Sequence, residues 1–208
     1  LDLVCNKMGV INSGKEDALC EKAVKDLQIK TPNVEIDSGN LSGGNQQKAI
    51  IAREIDKNPE LLIADEPTTA LDVTVQAGYL QLLSDLKKER DLSLMIISHD
   101  FGVINRISDK VVVMYAGSAM EYGDVKELWK EPKHPYTIGL LNSLPHIGNR
   151  RERLVSIPGS APIPGEITAG CPFAPRCDKA TEACRKETPK TIDGVHTFVR
   201  CLRYADKG

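Results

Sequence analysis

Apolar residues recur at helical spacing through Ala18, Leu19, Ala23, Val24 and Leu27, directly after Ser13-Gly14-Lys15-Glu16, which fits a capping box. Thr31-Pro32-Asn33 ends that helix. A stretch rich in Ser, Gly and Asn runs from Asp37 to Asn45 and leads into a second helix, predicted over 46–57 with Ala49, Ile50, Ala52 and Ile55 inward. Asn58-Pro59 stops it. Residues 61–64 form an unbroken apolar run closing on Asp65 and Glu66, the pattern of a buried parallel strand whose C-terminal end carries a site. A long amphipathic helix is expected over 73–90, with Val73, Gln76, Ala77, Leu80, Leu83 and Leu86 on one stripe. Residues 92–97 read as another buried strand, followed by Ser98-His99-Asp100 and a short helix from Phe101. Segments 110–116 and 119–122 flank Gly117 as a hairpin. Strand–helix–strand alternation through residue 116 predicts an α/β fold.

The pattern changes at Pro132. Pro135, Pro145, Pro158, Pro162, Pro164, Pro172, Pro175 and Pro189 interrupt regular structure, so one helix over 136–144 is expected, then an irregular appendage held by something other than a large core. The length of 208 residues suits one medium domain plus that appendage. A hydrophobic share of 41% against 27% charged excludes a wholly disordered chain. The net charge of -2 gives nucleic-acid binding no support. No apolar run reaches the roughly 20 residues that cross a bilayer. Lys7 interrupts the first ten residues, and no export signal follows. The first residue is Leu1 rather than methionine, and the expectation is a piece of a longer chain. Cys5 and Cys20 stand apart, while Cys171, Cys177, Cys184 and Cys201 crowd the tail; without an export signal such a cluster points to a metal site before disulfides.

Four segments carry candidate chemistry. Asp65 and Glu66 end an apolar strand, so one carboxylate can hold Mg²⁺ and the other can polarise an attacking water. Ordinary surface acids after a strand give the same pattern. Leu41-Ser42-Gly43-Gly44-Asn45-Gln46-Gln47-Lys48 opens a helix; its glycines permit close backbone approach to a phosphate, and the helix N-terminal amides supply donors. A Gly-rich turn with an N-cap is the plain alternative. Thr68-Thr69-Ala70-Leu71-Asp72 follows the carboxylates, and His99 ends the next strand, where α/β sites are built. Gly9-Val10-Ile11-Asn12-Ser13-Gly14-Lys15 matches most of the phosphate-binding loop G-x-x-x-x-G-K-[ST]. Glu16 stands where that loop needs a hydroxyl, however, and a carboxylate there repels phosphate, so the segment reads as a turn and helix cap.

In this order and spacing the four segments resemble the nucleotide-binding subunit of ABC transporters from about residue 8 to 130. The resemblance implies an α/β fold that is the C-terminal portion of an ABC-type P-loop ATPase domain. A helical signature subdomain would occupy 1–60, the second half of the ATPase core 61–131, and an irregular Cys-containing extension 132–208. It implies that Ser42, Gly43, Gly44 and Gln46 of the signature, with Asp72 of the D-loop formed by 70–72, close on ATP held by a second subunit. Asp65 would support Mg²⁺, Glu66 would be the base, and His99 the switch histidine that contacts the γ-phosphate. The family's phosphate loop would lie upstream of Leu1, so the chain alone is expected to bind ATP weakly or not at all and to be inactive, while a full-length form hydrolyses ATP.

The tail resembles the C-terminal extension of oligopeptide and dipeptide importers. The residues that carry this are His134-Pro135-Tyr136-Thr137 with Gly139-Leu140-Leu141, then Ile157-Pro158-Gly159, then Gly170-Cys171-Pro172-Phe173-Ala174-Pro175-Arg176-Cys177. Four thiolates at C-x5-C-x6-C-x16-C can ligate a [4Fe–4S] cluster or a tetrahedral Zn²⁺, and free or oxidised thiols fit the same spacing. In the importer family the matching cysteines are associated with an iron–sulfur cluster. The resemblance further implies peptide import, a second ATP-binding subunit, two membrane permease subunits, an extracytoplasmic substrate-binding protein, no nucleic acid, and a peripheral place on the cytoplasmic face of the membrane. One departure is that 41–48, with Ile29-Lys30-Thr31-Pro32 and Ala52-Arg53-Glu54-Ile55, looks more like sugar or nucleoside importer ATPases. A soluble ABC ATPase acting on DNA or ribosomes is the alternative from a different class.

Overall fold

A computed structural model describes residues 11–69, 71–144, 156–163, 165–166, 169–194 and 197–207. Gly9 and Val10 of the phosphate-loop match, Cys5, Ala70 of the D-loop, Pro145 and Pro164 lie outside the described residues. The chain divides into two compact units, one ending at Ile107 and one beginning at Ser108.

In the first unit the order is α1 (Ser13–Asp26), α2 (Gly43–Ile55), β1 (Leu61–Asp65), α3 (Val73–Glu89), β2 (Ser93–Ile97) and α4 (Phe101–Ile107). The cap of α1 is Asn12, whose side chain accepts the Lys15 N–H, rather than the expected Ser13. Gly14 and Lys15 of the phosphate-loop match are therefore helical. β1 and β2 pair in parallel from Leu61 opposite Ser93 to Asp65 opposite Ile97. The core gathers Leu27 and Ile29 after α1, Ile51 and Ile55 of α2, and Tyr79, Leu83 and Leu86 of α3, with Leu62, Leu94 and Ile96 packed against it.

Two expectations are corrected here. Ile51, not Ile50, faces inward, beside Ala49, Ala52 and Ile55, which pack into the core as expected; Ile50 is 48% exposed. The strands are covered on one face only: side chains alternate along them, so Ile63 and Met95 remain 58% and 51% exposed.

The second unit contains β3 (Lys110–Tyr115), β4 (Ser118–Asp124), α5 (Val125–Lys130), α6 (Pro135–Asn142), α7 (Glu182–Lys186), β5 (Ile192–Gly194) and β6 (Thr197–Val199). Gly117, at φ +75°, turns the expected β3–β4 hairpin. The tail is more regular than its prolines imply. β6 pairs antiparallel with β4, Tyr122 opposite Phe198, giving the order β3-β4-β6-β5. The hairpin, grouped by sequence with residues up to 131, thus shares a sheet with the tail.

Its core is built from Tyr115, Met120, Cys171, Phe173 and Ala174, with Tyr136 and Ile157 against them. The rings of Tyr115, Tyr136 and Phe173 meet at 4.7–5.3 Å. Arg176 ties in the segment before Gly159, donating through Nε to the Pro158 carbonyl at 2.8 Å and through its terminal amines to Ile157 and the Tyr115 hydroxyl. The three tail motifs, far apart in sequence, therefore converge on one aromatic cluster.

Candidate functional site

β1 and β2 run side by side in the same direction, so their C-terminal ends emerge together. Glu66 follows β1, and its amide donates to the Ile97 carbonyl at the end of β2, continuing the ladder by one bond. Its φ of +46° is a left-handed conformation that costs a non-glycine residue energy and turns its carboxylate toward the loop after β2. There Glu66 Oε1 lies 2.8 Å from His99 Nδ1 and accepts the His99 backbone N–H at 3.2 Å. Its second oxygen accepts from the Thr69 hydroxyl at 3.2 Å. The hydrogen bond from His99 holds the Glu66 carboxyl below its ordinary range, and Thr69 adds to this. In return the Glu66 carboxylate raises His99. The His99 side chain is 82% exposed, so ring and carboxylate both reach solvent; Asp65, the last residue of β1, is exposed as well.

The signature residues form a second cluster. Ser42 caps α2 by its backbone alone; its hydroxyl accepts from the Asn45 side chain at 2.9 Å, and no side chain caps the first amides. Those amides are donors available to an anion. Gln46 is turned inward, donating through Nε2 to the Leu41 carbonyl at 2.9 Å, and so shapes the turn before Ser42. A Cβ at Gly43 would sit 3.7 Å from Leu71; one at Gly44 would overlap Val75 Cγ1. Gly44 is therefore required by the approach of α2 to α3, a packing reason that its reading as a phosphate-contact glycine did not include. Asp72 caps α3 by accepting the Val75 N–H at 2.9 Å.

Two residues of this unit were not singled out from sequence. Gln76 donates from α3 to Asp100 Oδ2 at 3.2 Å, and Asp100 Oδ1 caps α4 by accepting the Gly102 N–H at 2.7 Å. The available signal was an amide in the middle of an apolar stripe.

In the tail, Cys171, Cys177, Cys184 and Cys201 line one small cavity with His134 and Phe173. Burial pushes the thiols of Cys171, Cys177 and Cys201 up, while backbone N–H groups of Phe173 and Ala174, of Lys179 and of Arg203 respectively favour their thiolates. Gly170, at φ +78°, lets the Cys171 amide reach the Cys184 carbonyl at 2.8 Å; a Cβ there would lie 2.6 Å from the Arg185 backbone. The donor set suits a soft metal. The four sulfurs nevertheless do not close into ligand geometry: among the described residues, no group of three or more His, Cys, Asp or Glu is arranged to hold a metal ion. The expected four-thiolate site is thus present as a convergence and not as a formed ligand set.

Comparison with known proteins adds two family matches. The model of the ABC transporter family matches residues 4–69, and that of the oligopeptide/dipeptide transporter C-terminal region matches 120–184. The oligopeptide transport ATP-binding protein AppD of Bacillus subtilis is 46% identical over 169 residues, covering 81% of this chain and 52% of that protein. The oligopeptide transport ATP-binding protein OppD of Haemophilus influenzae is 45% identical over 198 residues, covering 93% of this chain and 61% of that protein. The chain spans about half the length of the curated relatives it matches. Among solved structures, cbiO1 of Clostridium perfringens, part of the ABC transporter complex cbiONQ, aligns with TM-score 0.51 and 27% identity over 60% of this chain and 49% of that one.

Proposed function

We propose that the chain is part of an ATP-hydrolysing subunit of a peptide importer, because its two halves match the ABC transporter model and the oligopeptide/dipeptide transporter C-terminal model in turn. The observation that carries this reading is the Glu66–His99 pair at 2.8 Å, on the C-terminal ends of adjacent parallel strands. The names of the relatives, oligopeptide transport ATP-binding proteins, support peptides over sugars or nucleosides. They equally disfavour a soluble ATPase acting on DNA or ribosomes.

In this reading Asp65 would hold Mg²⁺ through its exposed carboxylate, an oxygen donor of the hard type that ion takes. Bound there, Mg²⁺ would neutralise charge on the phosphates. Glu66 accepts a hydrogen bond from the attacking water and orients it in line, with its low proton affinity keeping it ionised. His99 donates toward the γ-phosphate. Ser42, Gly43 and Gly44 present the uncapped amides of α2 to ATP held by a second subunit, with Asp72 beside them. Closure of the two subunits would be passed to two membrane permease subunits supplied by an extracytoplasmic binding protein. The chain would be peripheral on the cytoplasmic face; no helix among the described residues is long and apolar enough to cross a membrane.

The test uses a version of the chain extended with a relative's phosphate-loop half, measured with its permease partners. Glu66→Gln is expected to cut turnover by at least about 100-fold and to leave a closed, ATP-bound dimer. Turnover within a few-fold of the parent would remove Glu66 from this role. Nucleotide titration of the chain as it stands is expected to give no micromolar ATP affinity.

For the tail, the reading retains Cys171, Cys177, Cys184 and Cys201 as ligands of a [4Fe–4S] cluster, with zinc the alternative. The support for a bound metal is that all four thiols line one small cavity. Iron and acid-labile sulfide in anaerobically purified protein are the expected result; colourless protein with one zinc excludes the cluster.

A further inference from the structure

We propose that Gln76 is a positioning residue for His99, acting through Asp100 to hold the loop that carries the histidine against Glu66. This rests on the reading of Glu66 and His99 as the hydrolytic pair.

The need for such a residue follows from exposure. A ring that is 82% exposed is not located by packing, so the backbone of its loop must place it. That loop is fixed at the residue directly after His99. The Asp100 amide donates to Ser98 Oγ at 3.1 Å, and Oδ1 accepts the Gly102 N–H at 2.7 Å and the Val103 N–H at 3.4 Å. These three bonds are local and would travel with the loop if it moved. The bond from Gln76 Nε2 to Oδ2, at 3.2 Å, ties the loop to a different element.

The origin of that tie matters. Gln76 stands in the first turn of α3, one residue after Val75, which presses on Gly44 of the signature, and four after Asp72, which caps the helix. One turn of α3 thus touches the start of α2 on one side and the switch loop on the other. A displacement of the signature would reach His99 through Val75, Gln76 and Asp100 in succession. It also explains an amide on an otherwise apolar stripe: a leucine there would bury as well but could not donate.

The experiment has an enzymatic and a spectroscopic arm. In the extended, ATP-hydrolysing version, Gln76→Ala is expected to lower kcat about tenfold with KM within about twofold, the signature of a lost transition-state arrangement. Gln76→Glu, which faces Asp100 with like charge, should fall further. Adding Asp100→Asn to Gln76→Glu restores a donor–acceptor pair in reverse and should recover most of the rate. In the chain as it stands, the His99 ring ¹⁵N shifts should move in Gln76→Ala and return in the double variant. Unchanged kcat together with unmoved His99 signals overturns the proposal. So does equal loss in Gln76→Glu with and without Asp100→Asn. A parent that hydrolyses no ATP would defeat the functional reading instead, and the ring shifts would still decide whether Gln76 governs His99.

Discussion

A hydrogen bond at the tip of two strands makes His99 report on Glu66. Glu66 raises His99 above its ordinary 6.5, so that part of the pairing is complete below pH 6.5 and is lost as pH rises through the raised value. Glu66 is itself lowered from 4.5, so its part is complete above pH 4.5 and is lost as pH falls through the lowered value. The pair is therefore strongest between those limits. An NMR titration should find His99 titrating above 6.5 in the parent and close to 6.5 in Glu66→Gln; identical curves would mean the contact does not form. Gly44 offers a steric counterpart. Gly44→Ala should destabilise the first unit by about 1–3 kcal/mol despite alanine's helix propensity, because the methyl overlaps the Val75 side chain. Val75→Ala should recover most of that loss in urea unfolding, and no recovery would place the strain elsewhere. That Glu66 and His99 stand at the ends of neighbouring strands was legible in residue order. The left-handed Glu66 and the Val75 contact were not, since each depends on where neighbouring elements sit.

At the scale of elements, helices were read well where apolar period and stop signals agreed. α3 runs Val73–Glu89 against an expectation of 73–90. α2 was read three residues late because its two glycines look like loop, and the adjacent Ile50 and Ile51, both apolar, gave no signal of which one faces in. An apolar run cannot say whether one face of a strand or both are covered, so the open side of β1 and β2 was invisible. β5 and β6 are three residues each and gain their stability from distant partners, leaving no local signal. In the tail, the loop before Phe173 depends on α7: Gly170→Ala forces a strained φ and places a methyl against the Arg185 carbonyl. The expected outcome is faster alkylation of Cys171 and Cys184, read by mass spectrometry. Unaltered labelling would show that Gly170 does not hold the two segments together.

For the whole molecule, two units with separate cores should give two unfolding transitions, and acid should weaken the second through His134. Burial lowers His134 from 6.5 to about 4. The unfolded chain therefore takes up a proton that the folded unit refuses, and stability is full above pH 6.5 and lost as pH falls toward 4. His134 also caps α6 by accepting the Tyr136 N–H through Nδ1, at 3.0 Å. His134→Asn keeps an acceptor and removes the titration, so the second transition should lose part of its pH dependence over that range in calorimetry. An unchanged slope would trace the acid sensitivity to other groups.

The pairing of Tyr122 with Phe198 has a consequence for biosynthesis. Everything that the first unit packs together lies within a continuous early stretch and can consolidate while the ribosome is still working. The central strand of the later sheet has no such option: β4 leaves the tunnel long before β6 exists. Until residue 199 emerges, one side of β4 offers open backbone donors and acceptors, a length of nascent chain open to mispairing with another strand.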